Sequence, residues 1–252
     1  MVFAATTQTR LHEVLAEINR GDYLESRSIA FASFAEQWIS ERISIRGSTA
    51  SAYGSLIRQN LLPHLCKLRV HEIQLHHVQS LVSKLAGGLS EKSLRNAMTL
   101  LRVMLVGKKG PSAIKLGYIR HDPTRGVELP QKKHGNIQPP TPEQVWSLVN
   151  VAQEKAKESR CANVGHAMIF LDAFTGLRRG EILALQHADI DWFAGEIVVT
   201  RSISKAKGND GVHKWLWTLG PTKNGRTRRL GVGEHVLRLL GACRDEKRAS
   251  FS

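Results

Sequence analysis

A stretch rich in proline, glycine and lysine divides this chain into two parts that differ in their apolar periodicity. Residues 121–140 (HDPTRGVELPQKKHGNIQPP) show no sustained apolar pattern. Such a composition is typical of a connection that runs over a protein surface. The length of 252 residues is enough for two ordinary domains. We therefore predict two domains joined by a linker over residues 121–140.

The part before this linker repeats its apolar residues at helical spacing. The predicted helices cover residues 31–45, 49–62, 75–86 and the stretch after Ser90, with a further short helix over 9–20. Pro63 is expected to end the second of the bundle helices, and Gly87-Gly88 to interrupt the pattern after the third. We predict a compact all-α bundle over residues 31–106, within a domain that covers 31–120.

The part after the linker begins with helices and ends with strands. Thr141-Pro142-Glu143-Gln144 has the features of a capping box, with proline at the first helical position. Residues 164–174 are apolar nearly all round, which predicts a buried helix that ends at Gly176. A second helix over 178–187 follows.

From residue 195 the alternation becomes strand-like. GEIVVTRSI, VHKWLWTLG and TRRLGV read as three strands, and Asn224-Gly225 predicts a hairpin between the last two. An amphipathic helix over 234–246 completes the pattern. We predict an α+β domain with a three-stranded antiparallel sheet over residues 141–252.

The charge is strongly positive and is concentrated in two zones. The formal net charge is +14, with +7 over residues 91–135 and +8 over residues 201–252. Clustered positive charge is typical of proteins that bind phosphate backbones, so we expect a nucleic acid as partner.

No apolar run approaches the ~20 residues of a membrane span, and the N-terminus does not resemble a secretory signal. Only Cys66, Cys161 and Cys243 are present, which argues against a disulfide scaffold or a cysteine zinc site. We expect a cytoplasmic protein without metal or other cofactor.

The segment TGLRRGEILAL, followed by Asp189-Ile190-Asp191, carries the most specific chemical signal. A glycine turn between two helices places Arg178 at the start of the second helix, where its planar guanidinium suits a phosphate. Glu181 lies on the same helix face and is expected to hold that guanidinium. The alternative is an ordinary surface ion pair of little energetic value.

This segment strongly resembles the first arginine box of the tyrosine recombinase (phage integrase) family. FAEQWISER, GSTASAYGSLIRQNLLPHL and GLSEKSLRNAMTLLRVML resemble its helical core-binding domain, which has a SAM-like fold. LGYIRHDPTRGVELP resembles its interdomain linker, PPTPEQVWSLV the start of its catalytic domain, and TRSISK with TLGPTKNGRTRRLGV its three-stranded sheet. The resemblance covers about residues 9–246 and implies DNA integration and site-specific recombination.

The resemblance implies a role for each matching residue. Arg178 matches the first catalytic arginine, which contacts the scissile phosphate, and Glu181 the acidic residue that supports it. Lys223 matches the catalytic lysine, a general acid toward the leaving 5′-oxygen. Phosphoryl transfer depends mostly on positioning and on cations at the phosphate, so these residue types suit the chemistry. An exposed turn lysine without function is the alternative for Lys223.

The family also requires a His-x-x-Arg box and a tyrosine nucleophile downstream of the lysine. Tyr23, Tyr53 and Tyr118 are the tyrosines of this chain, and all precede Arg178. His235-Val236-Leu237-Arg238 matches His-x-x-Arg literally but falls on the predicted helix over 234–246, so we interpret it as a chance match. We expect an incomplete catalytic domain over residues 141–252 and a remnant helix and linker over 1–30, as in a recombinase shortened at both ends.

We expect double-stranded DNA to be the partner of both domains, with no membrane contact. Complete family members assemble on DNA as tetramers, whereas we expect weak or no self-association for this chain. The candidate DNA contacts are Ser48, Thr49, Tyr53, Lys92, Arg95, Asn96, Arg179, Lys205, Lys207 and Arg226.

Two hypotheses for the function stay open beside a DNA-binding recombinase chain that is unable to cleave alone. One is a non-catalytic DNA-binding or regulatory protein that is derived from the recombinase scaffold. The other is a basic helical module that binds RNA or protein.

Overall fold

The computed structural model describes residues 28–42, 45–131, 136, 138–156, 162–207 and 215–249. The chain divides into two compact units, residues 1–134 and 135–252, which we call the helical unit and the mixed unit. The predicted helix over 9–20 lies outside the described residues. No helix of the described residues is long and apolar enough to cross a membrane.

The helical unit consists of helices and short turns, as predicted. Its elements are α1 (Phe31–Ser40), α2 (Gly47–Leu56), a π-helical turn (Ile57–Leu61), α3 (Leu62–Leu65), a 3₁₀ turn (Val70–Glu72), α4 (Leu75–Ala86) and α5 (Glu91–Val106). Ser90 caps α5, because its hydroxyl accepts a hydrogen bond from the Ser93 backbone amide at 3.3 Å. The all-α character of this unit is therefore confirmed.

Pro63 does not end the second helix of the bundle, which corrects the prediction. Helix α2 continues through the π-helical turn into α3, and the Leu62 amide donates to the carbonyl of Ile57. Proline lacks an amide proton, and its ring clashes with the carbonyl four residues earlier in a regular α-helix. The wider π-helical turn directly before Pro63 accommodates it without breaking the helix.

Large aromatic side chains form the centre of the helical unit. Phe31, Phe34 and Trp38 of α1 are fully buried, and the Trp38 indole N–H donates to the carbonyl of Pro111 at 2.8 Å. The Tyr118 ring meets Phe34 edge to face, with the ring centroids 5.8 Å apart. The segment after α5 therefore belongs to the core.

Part of the predicted linker is held against the helical unit by hydrogen bonds. The Gln79 side chain accepts from the Glu128 amide at 2.9 Å and donates to the Glu128 carbonyl at 3.2 Å. Arg95 donates to the carbonyl of Pro130 at 2.6 Å. The first half of the stretch 121–140 thus follows α4 and α5 as an ordered strap.

The mixed unit begins with helices, as predicted. They are α6 (Pro142–Ala156), α7 (Ala162–Thr175) and α8 (Arg179–Ala184), which a 3₁₀ turn follows at His187–Asp189. The capping box at the start of α6 is confirmed: the Gln144 amide donates to the Thr141 hydroxyl at 3.3 Å, and the Thr141 amide donates to the Gln144 side chain at 2.9 Å.

Two small antiparallel sheets and a helix complete the mixed unit. The strands are β1 (Ile190–Asp191), β2 (Glu196–Val199), β3 (Arg201–Lys207), β4 (Trp215–Pro221) and β5 (Arg228–Gly231), and α9 (Glu234–Ala249) follows them. One sheet has the order β1-β2-β5, and the other consists of β3 and β4. The predicted α+β character and the antiparallel pairing are confirmed.

The predicted hairpin at Asn224-Gly225 is wrong. Strand β4 pairs with β3 and β5 pairs with β2, so the strands on either side of Asn224-Gly225 do not pair with each other. Arg201 pairs with Pro221, and Val199 pairs with Arg228. One residue, Thr200, therefore separates the two pairs on the β2–β3 strand, whereas residues 222–227 separate them on the other strand. The buried Thr222 hydroxyl donates to the Arg226 carbonyl at 2.8 Å, which closes residues 222–227 into a separate loop.

The core of the mixed unit is small, and α7 is less buried than predicted. Its core cluster comes from α7, the turn before α8, α8, the β1-β2-β5 sheet and α9: Leu171, Leu177, Ile182, Ile190, Ile197, Val199, Val236 and Leu240. At the two ends of α7, Val164 is 58% exposed and Phe174 is 44% exposed. Helices α6, α8 and α9 cover only part of the circumference of α7.

Candidate functional site

A glycine turn places Arg178 between two packed helices. Gly176 adopts a φ of +60°, which glycine tolerates without strain, and the next residue, Leu177, is buried. The Leu177 amide donates to the Thr175 hydroxyl at 3.3 Å. Arg178 follows in an extended conformation as the N-cap of α8, so its side chain leaves the core while its backbone stays anchored.

Helix α8 lies directly on strand β3 because Gly180 has no side chain. A Cβ atom at this position would stand 2.4 Å from the Ile203 carbonyl oxygen and 2.6 Å from the Ser202 hydroxyl oxygen. Real side chains do not tolerate contacts this short with backbone. The glycine of the arginine box is thus required for the distance between α8 and the β3–β4 sheet.

Glu181 is a buried carboxylate that two arginines surround. It accepts from the Arg178 backbone amide at 3.0 Å and from Arg178 Nη1 at 3.1 Å. Arg228 donates to both carboxylate oxygens, with Nη1–Oε1 at 3.0 Å and Nη2–Oε2 at 2.7 Å. The hydrogen bonds from Arg228, followed by those from Arg178, lower the pKa of Glu181 to about 2 although burial opposes the shift. Glu181 is therefore a fixed anion that orients the Arg178 guanidinium, and the predicted pairing is present.

Arg228 is a site residue that the sequence analysis missed. It comes from β5, and the carboxylate raises the pKa of its guanidinium. Arg228 and Leu230 are half-buried, whereas Arg229 and Gly231 are exposed. Alternation along this strand places Arg228 on the same face as Leu230, and an arginine on a partly buried face needs an acidic partner. This alternation is the sequence signal that could have identified the pair.

These residues border an open cleft of about 470 Å³. Its lining consists of Gly176, Arg178, Thr222, Asn224, Arg226, Thr227 and Arg228. The Arg178 side chain is 53% exposed, so its guanidinium is held by Glu181 at one edge and open to solvent at another. Arginine guanidinium and asparagine amide groups donate hydrogen bonds in fixed directions, and the cleft can therefore bind an anion the size of a phosphate.

Lys223 lies in the 222–227 loop between two residues that line the cleft. It is exposed and is not itself part of the lining. The Gly225 amide donates to the Thr222 carbonyl at 2.9 Å, which forms a tight turn around Lys223 and Asn224. The predicted position at a hairpin tip is replaced by a position on this loop beside the cleft.

A second ion pair connects the segment after α8 to strand β3. Arg201 Nη2 lies 2.6 Å from Asp189 Oδ2 and donates to the Gln186 side chain at 2.8 Å. Arg201 Nε donates to the Ala184 carbonyl at 3.2 Å. The aspartate that follows the arginine box thus helps to hold α8 in place.

The other basic candidates of the mixed unit lie at different places. Arg226 lines the cleft, and Arg179 is exposed on α8. Lys205 lies on β3, with its ammonium 4.9 Å from the ring centroid of Trp215 and 5.4 Å from that of Trp217. Lys207 ends β3, and its side chain lies outside the described residues.

The helical candidates differ in their exposure and in their contacts. Ser48 and Thr49 are half-buried in the first turn of α2, and the Tyr53 ring packs against Trp38 with centroids 5.8 Å apart. On α5, Lys92 and Asn96 are exposed. Arg95 is engaged with Glu91 at 2.9 Å and with the Pro130 carbonyl. Tyr53 and Arg95 therefore have structural contacts, and Lys92 and Asn96 stay predictions as DNA contacts.

The literal His-x-x-Arg match lies on α9. His235 is exposed, and Arg238 pairs with Glu234 at 2.6 Å, while Val236 and Leu240 are buried. These contacts fit an amphipathic helix. Among the described residues, no group of three or more histidine, cysteine, aspartate or glutamate side chains could hold a metal ion.

Comparison with known proteins agrees with this architecture. Residues 30–86 match the family model of the phage integrase N-terminal SAM-like domain. The chain is 25% identical to a XerC-like tyrosine recombinase of Caldanaerobacter subterraneus, over 96% of this chain and 62% of the relative. It is 26% identical to the ICEBs1 integrase of Bacillus subtilis, over 98% of this chain and 64% of the relative. The chain thus spans less than two thirds of the length of these relatives.

Solved structures show the same fold. The Tn1549 transposon integrase in complex with transposon right end DNA matches with a TM-score of 0.67 at 20% identity, over 85% of this chain and 64% of that chain. A lambda integrase dimer bound to a COC′ core site matches with a TM-score of 0.59 at 17% identity, over 92% and 58%. The helical unit thus matches the SAM-like domain of phage integrases, and the chain as a whole is similar to tyrosine recombinases of that type.

Proposed function

We propose that this chain binds duplex DNA as part of an integrase-type recombination system and holds one backbone phosphate in the cleft at Arg178. The observation that carries the proposal is the Glu181 cluster. A buried carboxylate, clamped by Arg228, orients an arginine that is half-exposed in a basic cleft. Such a fixed guanidinium suits bidentate binding of a phosphate and loses little side-chain entropy on binding.

The surroundings of Arg178 add to its attraction for a phosphate. Arg226 and Arg228 line the same cleft, and the single buried carboxylate leaves the group with net positive charge. Charge that develops on a phosphate in the transition state is stabilised by such preorganised donors. We therefore assign Arg178 the role of the first phosphate-binding arginine and Glu181 that of its support.

Lys223 is proposed as the proton donor to the leaving 5′-oxygen, as the family resemblance implies. Its position on the 222–227 loop supports this role, because its neighbours Thr222 and Asn224 line the cleft. A lysine that is exposed in the free chain can turn toward a phosphate once DNA fills the cleft.

We further propose that this chain binds DNA without cleaving it. Its tyrosines all precede Arg178, and two of them pack inside the helical unit: Tyr53 against Trp38, and Tyr118 against Phe34. Both side chains therefore have structural contacts within the helical unit. The same observation favours, as a second candidate, a non-catalytic regulator built on the recombinase scaffold.

The test of DNA binding is fluorescence anisotropy with a labelled duplex at fixed salt. We expect Arg178→Gln to weaken binding about tenfold, because one oriented phosphate contact is lost. Arg238→Gln is the matched control, since it removes an equal charge from an exposed ion pair on α9. Equal affinities of the two variants would contradict the role of the cleft, and stronger competition by RNA than by duplex DNA would favour a different nucleic acid.

The test of cleavage uses a pool of nicked suicide duplexes of varied sequence. We expect no covalent protein–DNA adduct on a denaturing gel, while the anisotropy of the same mixture shows binding. An adduct formed by this chain would show that it contains a competent nucleophile and would end the proposal of binding without cleavage.

A further inference from the structure

The β3–β4 ribbon exposes large aromatic side chains to solvent. Trp215 is 47% exposed and Trp217 is 58% exposed, although indoles are rarely left so open on a folded protein. Both residues lie on β4, two positions apart, and therefore on the same face of the strand. Large apolar side chains exposed side by side are typical of a binding surface.

A lysine from the neighbouring strand completes this face. Lys205 stands directly opposite Trp217 in the antiparallel register, and residues that oppose each other share a face. Its ammonium lies 4.9 Å from one indole centroid and 5.4 Å from the other. The aromatic face thus carries a positive charge at its centre.

The composition of the ribbon limits the kind of partner. Its strands, RSISKAK and WLWTLGP, contain no acidic residue, so nothing on them repels a polyanion. A purely apolar partner would have to desolvate the Lys205 ammonium without compensating it. A partner that presents flat rings together with phosphates satisfies both the indoles and the lysine.

The spacing of the indoles suits stacked bases. Side chains two positions apart on a strand are separated by about 6.8 Å. Each exposed indole can therefore stack with its own unpaired base, beside the Lys205 ammonium. Unpaired bases offer their faces for this contact, whereas the bases of a closed duplex do not.

We propose that this face of the β3–β4 ribbon binds single-stranded DNA, with unpaired bases stacked on Trp215 and Trp217 and a phosphate paired with Lys205. This site rests on the proposed function in one respect, namely that the bound polymer is DNA. The site is distinct from the Arg178 cleft, whose lining contains none of these residues.

The experiment measures anisotropy of a labelled oligothymidylate with the full chain and its variants. We expect the double variant Trp215→Ala, Trp217→Ala to lose affinity at least tenfold, since each lost stacking contact weakens binding severalfold. The double variant Trp215→Phe, Trp217→Phe should keep most of the affinity because it keeps the rings. Trp146→Ala is the matched control, as Trp146 is an exposed indole on α6 of the same unit.

Each alternative outcome is distinguishable. Unchanged oligothymidylate affinity in the double alanine variant, or an equal loss in Trp146→Ala, overturns the proposal. A loss in the phenylalanine variant as large as in the alanine variant also overturns it, since stacking would then not be the cause. A change in sedimentation of the free protein with unchanged DNA affinity would assign the face to a second copy instead.

The result also separates this proposal from the duplex-binding function. Loss of oligothymidylate binding in the ribbon variants, with duplex affinity of Arg178→Gln unchanged from wild type, would support the ribbon and contradict the cleft. The reverse pattern would support the cleft and overturn the ribbon.

Discussion

The two units of this chain treat their large apolar side chains in opposite ways. In the described part of the helical unit, Leu75 is the large apolar residue that stays exposed, while the aromatic residues of α1 are fully buried. The mixed unit exposes many more, on α6, α7, α8, the β1–β2 turn and the β3–β4 ribbon: Trp146, Leu148, Val151, Val164, Phe174, Leu183, Trp192, Phe193, Trp215, Leu216, Trp217 and Leu219.

The apolar residues of the helical unit thus stabilise its own fold, whereas many of those in the mixed unit remain exposed to solvent. The helical unit buries its large apolar side chains in one contiguous core cluster. The mixed unit has a smaller core and uses partly buried ion pairs, Glu181 with Arg228 and Arg201 with Asp189, to hold α8 against its strands. Its exposed apolar surface is available for interactions, which monomeric proteins rarely leave so extensive without a function.

The largest effect is expected from the core of the helical unit. Trp38→Ala should lower the free energy of unfolding of that unit by about 3–5 kcal/mol, because a fully buried indole and its hydrogen bond to Pro111 are lost. Urea unfolding followed by circular dichroism measures it. A loss below about 1 kcal/mol would show that the core tolerates a large cavity and would weaken the contrast between the units.

The next effect is pH-dependent and belongs to the mixed unit. The pKa of Glu181 is about 2 in the folded chain against an ordinary value of 4.5, so its ion pairs stabilise the unit fully above pH 4.5. This contribution, on the order of 3 kcal/mol, is lost as the pH falls from 4.5 toward 2. Hydrogen exchange of the α8 amides at pH 6 and pH 3 measures it.

Glu181→Gln provides the control for this pH dependence. The variant should be less stable at pH 6 and should lose little further protection of α8 between pH 6 and pH 3. An acid-induced loss as steep as that of the wild type would mean that other carboxylates, and not Glu181, cause it.

A smaller effect is expected at the contact between α8 and β3. Gly180→Ala should destabilise the mixed unit by about 1–3 kcal/mol, because the new methyl group meets the backbone of Ile203 and forces α8 outward. Gly220→Ala is the matched control, since a Cβ there meets nothing within 4 Å. Thermal unfolding compares the variants, and equal melting temperatures would refute the close packing of α8 on β3.

The smallest effect is expected on the exposed face of α6. Leu148 is 57% exposed, so Leu148→Ala should change the free energy of unfolding by less than about 0.5 kcal/mol. The same variant should reduce the binding of a dye that reports exposed apolar surface. A destabilisation as large as that of Trp38→Ala would mean that this face is buried and that the contrast between the units is wrong.

Local sequence signals predicted much of this structure, and long-range pairing explains what they missed. The capping box at Thr141, the glycine turn before Arg178 and the pairing of Glu181 with Arg178 involve residues at most a few positions apart. The partner Arg228 is 47 positions from Glu181, and only the register of β5 on β2 brings the two together. The same register overrode the Asn224-Gly225 hairpin signal. The prediction that Pro63 ends the helix was wrong because the preceding π-helical turn accommodates the proline. Such a turn depends on packing, which the general helix-breaking tendency of proline does not include.

The salt dependence of duplex DNA affinity tests the central claim most directly, which is that the oriented Arg178 guanidinium binds a backbone phosphate. The logarithm of the binding constant should fall steeply and linearly with the logarithm of salt concentration for the wild type. For Arg178→Gln the slope should be shallower by about 1, while Arg238→Gln should keep the wild-type slope. Identical slopes for all three proteins would contradict a phosphate contact at Arg178.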